Sequence, residues 1–425
     1  MSRGAPRLSS IAWSRPGRSG SVQPLSGKII LLGVTGGIAA YKAPELARLL
    51  IRRGAEVHAV LTKHALEFVT PLTLQTLTRQ PVHTELFQLV REQEIGHIAL
   101  PERAHLLLIA PASADVIAKL AHGLADDLLT TMALATRAPV LLAPSMSDLM
   151  YDHPAVQANL EQVRRYGYRT VEPGVGALAC GRVGPGRLPE PEEIVEEVEI
   201  LLAPKDLEGE RVVVTAGPTE EPLDPVRVLS NRSSGRMGYA LAQVAVRRGA
   251  QVTLVSGPTE LPAPRGVELR RVGTAEQMRD EVLAALNGTT ILMMAAAVAD
   301  FRPRTAAPRK LKKGAAQTWS VELERTPDIL LDVAKRNEQQ FLVGFAAETE
   351  ELLENAWRKM QEKSLDLIVA NDVTVPGAGF EVETNVVKLL DRDGKIESLP
   401  ILDKEEVAER IWDKVAAMRR RREPG

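Results

Sequence analysis

A strand, a glycine turn, a helix and a second strand occur in that order twice along this chain, and no other feature restricts the fold as strongly. "KIILLGV", "TGG", "IAAYKAPELARLLIRRGA" and "EVHAVLT" run from 28 to 62. "RVVVTAG", a long insertion, "SSGRMGYALAQVAVRRGA" and "QVTLVSG" run from 211 to 257. Each first strand is a continuous apolar run, the pattern of a strand buried on both sheet faces. The first helix keeps helical spacing up to a stop at Gly54. A strand–helix–strand unit of this kind takes a right-handed crossover. "RRGAEVHAVLT" (52–62) and "RRGAQVTLVSG" (247–257) are almost the same stretch. Both are the end of a crossover helix with its following strand, set in two separate α/β domains, and a shared scaffold does not require shared chemistry.

Later segments extend both halves. "AHLLLIAPAS" (104–113) and "APVLLAPS" (138–145) read as strands, with one helix, "ADVIAKLAHGLADDLLTTMALAT", between them. "TTILMMAAAVAD", "QFLVGFAAET" and "LDLIVAND" continue the second half, alternating with helical segments. The fold class is therefore α/β, with two doubly wound Rossmann-like domains. The polar "APKDLEGE" (203–210) suits a linker. The expected divisions are an extension at 1–26, a first domain at 27–206 and a second at 207–425. Residues 1–26 hold four arginines and no acid among many Ser, Gly and Pro, and without a clear amphipathic face they read as disordered rather than as a transit peptide.

Composition narrows the partners. A formal net charge of −2 supplies no electrostatic reason for nucleic acid or an acidic membrane. No apolar run approaches the roughly 20 residues of a bilayer span. The single cysteine, Cys180, excludes an internal disulfide framework and suits a reducing compartment, so a cytoplasmic location is expected.

A glycine turn between strand and helix aims backbone N–H groups at a positive helix end, where phosphate binds, although the same turn also occurs with no ligand. Neither turn here is GxGxxG. The first is Gly33-x-x-Gly36-Gly37, and the second is Ser233-Ser234-Gly235-x-x-Gly238. NAD-binding units end their second strand in an acid that holds the ribose, whereas these strands end in Thr62 and Ser256. A hydroxyl tolerates phosphate and a carboxylate repels it, so both turns read as mononucleotide or flavin sites. In the first half, His97 in "GHIAL" and Cys180 in "ACGRVGPGR" have both a structural and a chemical reading. The Gly-rich surroundings of Cys180, beside two arginines, favour a reactive thiol over a core one.

"GVTGGIAAYK", "GHIAL", "IAPASADVIAKLAHGLADDLLTT" and "ACGRVGPGR" together resemble the flavin-dependent phosphopantothenoylcysteine decarboxylase family over about 27–204. The resemblance implies a flavodoxin-like domain with FMN held by Gly33, Thr35, Gly36, Gly37, Thr62, Pro111 and Ser113. It also implies His97 as base, Cys180 as proton donor, and Met146 and Ser147 at the substrate. Ser147 departs from the family's usual asparagine in "PSMSDLMY", replacing a donor–acceptor pair with one shorter hydroxyl.

In the second half, Lys310, Lys312 and Lys313 lie on a loop after a strand ending in Asp300, and Lys359 and Lys363 are four apart on an expected helix. Lysines around a Ser/Gly turn with an acid nearby describe a nucleoside triphosphate and its metal, although the helix pair also fits a solvated basic face. "TAGPTEEPLDPVRVLSNRSSGRMG", "AAAVADFRPR", "PRKLKK", "ERTPDIL" and "GFAAET" are similar to the CTP-using bacterial phosphopantothenate–cysteine ligases. That likeness implies a ligase domain with Asn231 and Lys310 catalytic and Arg227 at the substrate. It implies a CTP site of Ala295, Ala296, Asp300, Lys310, Pro327, Asp328, Ile329, Leu330, Phe345, Lys359 and Lys363, with Mg2+ held mainly through the phosphates.

The fused order resembles the bifunctional coenzyme A biosynthesis enzymes. Their likeness implies small-molecule partners (4'-phosphopantothenate, L-cysteine and CTP) and a homo-oligomer of trimeric flavin domains and paired ligase domains, as large as a dodecamer. Two other readings stay open. One is an active ligase joined to a flavin domain whose decarboxylation is weakened or altered by Ser147. The other is a flavin-binding regulatory subunit, against which the lysines and Asn231 argue.

Overall fold

The computed structural model of the chain describes residues 23–86, 96–177, 181–312, 319–336, 340–348, 352–372 and 384–422. In the first half, β1 (Ile29–Val34), α1 (Ala43–Arg52), β2 (Glu56–Leu61), α2 (Pro71–Thr78), α3 (Gly96–Arg103) and β3 (Leu106–Ala112) follow one another. They continue as α4 (Ala114–His122), α5 (Leu128–Ala135), β4 (Val140–Pro144), α6 (Asp148–Tyr151), α7 (Pro154–Arg165) and β5 (Arg169–Thr170). A hairpin of β6 (Gly174–Ala177) and β7 (Val183–Arg187) then leads to α8 (Pro191–Leu202). The five-stranded sheet is parallel, in the order β2-β1-β3-β4-β5, which is the flavodoxin-like winding.

Local sequence explains these elements. α1 buries Ala43, Leu46, Ala47 and Leu50, one helical stripe against the sheet. The single helix expected over 114–136 is two helices. Gly123, at φ +66, ends α4, and Asp127 opens α5 with a capping box to Thr130. Residues 23–26, grouped by sequence with the extension, form a turn whose Leu25 is fully buried and whose Leu25 N–H donates to Arg53 O.

The second half runs β8 (Arg211–Ala216), β9 (Glu220–Pro222), β10 (Val228–Ser230), α9 (Arg236–Arg247), β11 (Gln251–Ser256), β12 (Val267–Arg271) and α10 (Ala275–Ala285). Next come β13 (Ile291–Met294), β14 (Phe301–Pro303), β15 (Leu323–Arg325), α11 (Ile329–Lys335), β16 (Phe341–Glu348), α12 (Leu352–Glu362) and β17 (Leu367–Asp372). The chain closes with β18 (Thr384–Asn385), β19 (Val387–Asp391), β20 (Ile396–Ser398), β21 (Leu402–Asp403) and α13 (Lys404–Arg422). Its eight-stranded sheet has the order β12-β11-β8-β13-β16-β17-β19-β20. The first six strands are parallel in the Rossmann winding, and β19 and β20 add an antiparallel edge. α13 covers α9, burying Val407, Ile411, Trp412 and Val415, and the Trp412 indole donates to Leu241 O at 2.9 Å.

Three of the four arginines of the duplicated stretch, Arg53, Arg247 and Arg248, meet acids where the halves join. Arg53, capping α1, and Arg247, ending α9, both pair with Glu199 on α8 and Glu405 on α13. Arg247 also reaches Glu409, and Arg248 pairs with Asp206 and Asp413.

Candidate functional site

Ligands of doubly wound sheets bind outside the carboxyl ends of the strands, where the winding reverses. In the first domain that point lies between β1 and β3. The Thr35 hydroxyl donates to Pro111 O at 2.7 Å and accepts from the Ser113 N–H at 2.9 Å, so one side chain ties the two turns together. Gly36 is required there, because a Cβ would stand 2.3 Å from the His64 Cβ. Gly37, by contrast, faces open space. Thr62 follows β2 with a buried hydroxyl that has no partner among the described residues. A buried donor left unmatched is costly, and a flavin's oxygen-rich side chain or phosphate satisfies it. The residues present therefore fit FMN.

Beside this turn a cavity of about 410 Å³ is lined by Gly37, Ile38, Tyr41, Lys42, Met146, Ser147 and Arg187, among others. Met146 and Ser147, expected from the sequence at the substrate, both line this cavity. The Ser147 hydroxyl accepts from the Met150 N–H at 3.4 Å, capping α6. Sequence reasoning passed over Lys42, though it sits inside "GIAAYK". Its ammonium pairs with Glu190 at 2.8 Å, and that bond, outweighing burial, holds the Glu190 carboxyl below the ordinary range. The β6–β7 hairpin is anchored on α6 by Arg182–Asp148 at 2.8 Å. Cys180 lies outside the described residues, and of His97 only its place in the first turn of α3 is described.

In the second domain the same stitching recurs between β8 and β13. The Thr215 hydroxyl accepts from the Ala296 N–H at 3.1 Å, and Thr219 accepts from Ala299 at 2.9 Å. Ser256 differs from expectation. Its hydroxyl donates to Gly257 O at 2.9 Å and pairs with Tyr239 at 3.2 Å, so it is consumed inside the fold. The turn at Gly235, with φ +74, starts α9, and Gly238 lets that helix close on β8, since a Cβ would meet Ala216 at 2.5 Å.

Two cavities open at this edge, and Phe345 lines both. The larger, about 490 Å³, gathers Asp300, Pro327, Asp328, Ile329, Leu330, Lys359 and Lys363. Lys359 donates to Phe345 O at 2.7 Å, and Lys363, one residue past the end of α12, pairs with Asp328 at 2.8 Å. The other, about 350 Å³, takes Asn231, Ala295 and the 233–238 cradle. Asn231 donates to Val298 O at 2.9 Å. The structure thus divides the single nucleotide set between two neighbouring cavities. Ala296 packs against the core instead. Lys310 is exposed and lines neither cavity among the described residues. Arg227 is likewise engaged elsewhere: it pairs with Asp224, donates to Leu311 O and lies over the Trp319 ring. Arg227 lies with Asp224 between β9 and β10, whereas Lys310 lies between β14 and β15, on the loop that Asp224 fastens through the Leu311 N–H. Among the described residues no group of three or more His, Cys, Asp or Glu is gathered as for a metal ion.

Comparisons with known proteins find a match on each half of the chain. The flavoprotein family model matches residues 19–202, and that of the DNA/pantothenate metabolism flavoprotein C-terminal domain matches 207–418. The chain is 47% identical over 398 residues to the coenzyme A biosynthesis bifunctional protein CoaBC of Bacillus subtilis, covering 93% of this chain and 98% of that one. It is 45% identical to the Escherichia coli protein of the same name, covering 92% and 97%. A crystal structure of the C-terminal domain of such a protein, 41% identical, covers 50% of this chain and 97% of its own, with a TM-score of 0.44. With a flavodoxin-like and a Rossmann-like domain in this order, the chain belongs to the family of bifunctional coenzyme A biosynthesis proteins CoaBC.

Proposed function

We infer that this chain carries out two consecutive steps of coenzyme A biosynthesis, ligation in its second domain and decarboxylation in its first. The observation that carries the reading is the pair of cavities meeting at Phe345, one holding two lysines and two aspartates and the other a Ser/Gly cradle. In the ligation, the carboxylate of 4'-phosphopantothenate attacks the α-phosphorus of CTP and pyrophosphate leaves. The cysteine amine then attacks the acyl carbon, CMP leaves and an amide is formed. Lys359 and Lys363 offset phosphate charge, Asn231 orients the acyl group, and Lys310 closes on the site from its loop. A Mg2+ ion brought in with CTP would lower the repulsion that an incoming carboxylate meets.

In the first domain, bound FMN supplies the two-electron oxidation of the cysteinyl thiol that lets the carboxylate leave as CO2. The chain's own groups do the rest. Thr62 and the Gly36–Gly37 turn seat the cofactor, while Met146 and Ser147 border the substrate. His97 takes the substrate proton, and Cys180 returns one after CO2 departs. The division at 206/207, a cytoplasmic location and a homo-oligomer are parts of the same proposal. Ile38 and Tyr41, apolar and exposed at the mouth of the flavin-side cavity, support cover from a neighbouring subunit.

Mass spectrometry of products from phosphopantothenate, cysteine, CTP, Mg2+ and FMN tests both halves. 4'-Phosphopantetheine is expected. Accumulation of phosphopantothenoylcysteine alone favours a flavin domain altered at Ser147, and no product at all overturns the reading.

A further inference from the structure

The cavity of about 350 Å³ is built partly by residues that no motif pointed to. Its described lining includes Arg232, Arg236 and Lys404, three cations, and no carboxylate. Three asparagines, Asn231, Asn371 and Asn385, complete its polar wall. Lys404 opens the 19-residue α13 and is only 7% exposed, while Asn385 is 5% exposed. The two are brought together by a short antiparallel ladder in which Asn385 pairs with Leu402 and Thr384 with Asp403. The side-chain oxygens of Asn371 and Asn385 are buried with no hydrogen-bond partner.

A buried polar atom without a partner marks a place where something else completes the site. Asn385 meets that description directly. Its nitrogen lies 3.8 Å from the Met237 sulfur, and its oxygen is buried without a hydrogen-bond partner among the described residues. Because the two ends of a side-chain amide are interchangeable by rotation, it offers either a donor or an acceptor to an incoming group. The charge of the lining sets the chemistry of that group. Cations flanking backbone N–H groups at the start of α9 suit phosphate oxygens. Burial, together with the nearby Arg236, holds the Lys404 ammonium below its ordinary pKa, and a bound phosphate offsets both effects.

We propose that Lys404, seated beside Asn385 by the β18–β21 ladder, is a phosphate-binding residue of the ligase centre. This rests on the ligase reading above and extends its site to the C-terminal helix, whose sequence lies outside every quoted motif. Lys404 and the 233–238 cradle line the same cavity, so the phosphate lies between two helix starts, those of α9 and α13. Two substrates of the reading carry phosphate, the triphosphate of CTP and the monoester of 4'-phosphopantothenate, and the chemistry of recognition is shared.

The test is titration calorimetry of the full chain with CTP and, separately, with 4'-phosphopantothenate, comparing wild type, Lys404→Met and Asn385→Asp. Lys404→Met is expected to weaken one or both ligands about tenfold or more, the loss of one charge-assisted contact. The ligand that weakens identifies the phosphate. Asn385→Asp sets a negative charge beside the same phosphate and is expected to weaken the same ligand. It decides the matter if Lys404→Met fails to fold. Affinities unchanged in the folded variants overturn this inference and leave the ligase reading standing. Wild type that binds neither ligand overturns both.

Discussion

Single side chains separate seats for ligands from parts of the scaffold. The Thr62 hydroxyl is buried without a partner, so its replacement by the isosteric valine removes a desolvated polar group from the empty protein. Thr62→Val is expected to leave the melting temperature of the FMN-free protein unchanged or raised, and to weaken FMN about fivefold, the equivalent of about 1 kcal/mol. Flavin fluorescence titration and thermal unfolding read the two effects independently. Asn231 donates to Val298 O and, at 3.4 Å, to Ala297 O. An aspartate there meets two carbonyl oxygens with a negative charge and no donor. Asn231→Asp is expected to keep the circular dichroism spectrum while pyrophosphate release falls about tenfold or more. The sequence pointed to both residues, Thr62 by its place at a strand end and Asn231 by its motif. It also pointed to Ser256 by the logic used for Thr62, yet Tyr239, a helix residue 17 positions earlier, absorbs that hydroxyl. A strand end predicts where a hydroxyl sits, not who else reaches it.

At the scale of elements, the long insertion between β8 and α9 is organised by one carboxylate. Asp224 accepts the N–H groups of Val226 at 2.8 Å, Arg227 at 2.9 Å and Leu311 at 3.1 Å, and pairs with the Arg227 guanidinium at 3.2 Å. Burial by itself raises this carboxyl, but these bonds outweigh it and hold it below its ordinary 3.8. A group whose folded pKa is depressed adds stability above the unfolded value and loses it as pH falls through the folded one. The loop carrying Lys310 is therefore expected to hold from neutral pH down to about 4 and to loosen below that. Asp224→Asn abolishes the ion pair at every pH. It is expected to depress CTP-dependent pyrophosphate release at pH 7 with FMN affinity unchanged, and equal release in the variant and the wild type contradicts this role. Glycine turns, caps and apolar runs were legible because each is a local agreement between neighbours. The break at Gly123, which splits one long apolar helix into α4 and α5, was less so, since helical spacing resumes after it with Asp127 as a new cap.

The whole molecule depends on the joint between its halves. Arg247 is 2% exposed and contacts Glu199 and Glu405, both at 2.5 Å, and Glu409 at 3.0 Å. Burial on its own lowers the Arg247 pKa, yet Glu405, Glu199 and Glu409 together raise it. The three acids do not respond alike. For Glu405, burial is outweighed by Arg247 and Arg53 and its pKa falls, so its stabilisation is present above 4.5 and lost on acidification. For Glu199 and Glu409, burial prevails over the arginines and the pKa rises, so their protonation on acidification favours the folded joint. The opposed signs leave the joint only weakly sensitive to acid. Arg247→Met, in contrast, strands buried carboxylates at a cost of about 3–5 kcal/mol. Differential scanning calorimetry is expected to show a lower first transition and the two domains melting apart, while each half-reaction survives at low temperature. A single unshifted transition contradicts it.

What the amino-acid sequence determined alone was whatever short-range order determines. Apolar runs became buried parallel strands, glycine turns came to border cavities, and the repeated stretch became the same helix end and strand in two domains. Tertiary structure decided which distant groups meet. It set Arg53, Arg247 and Arg248 of the repeat against α8 and α13, parted one nucleotide set into two cavities at Phe345, and brought Lys404 and Asn385 beside a cradle more than 140 residues earlier. Local pattern carries no information about those distances, because they depend on how two sheets wind and how a final helix packs across them.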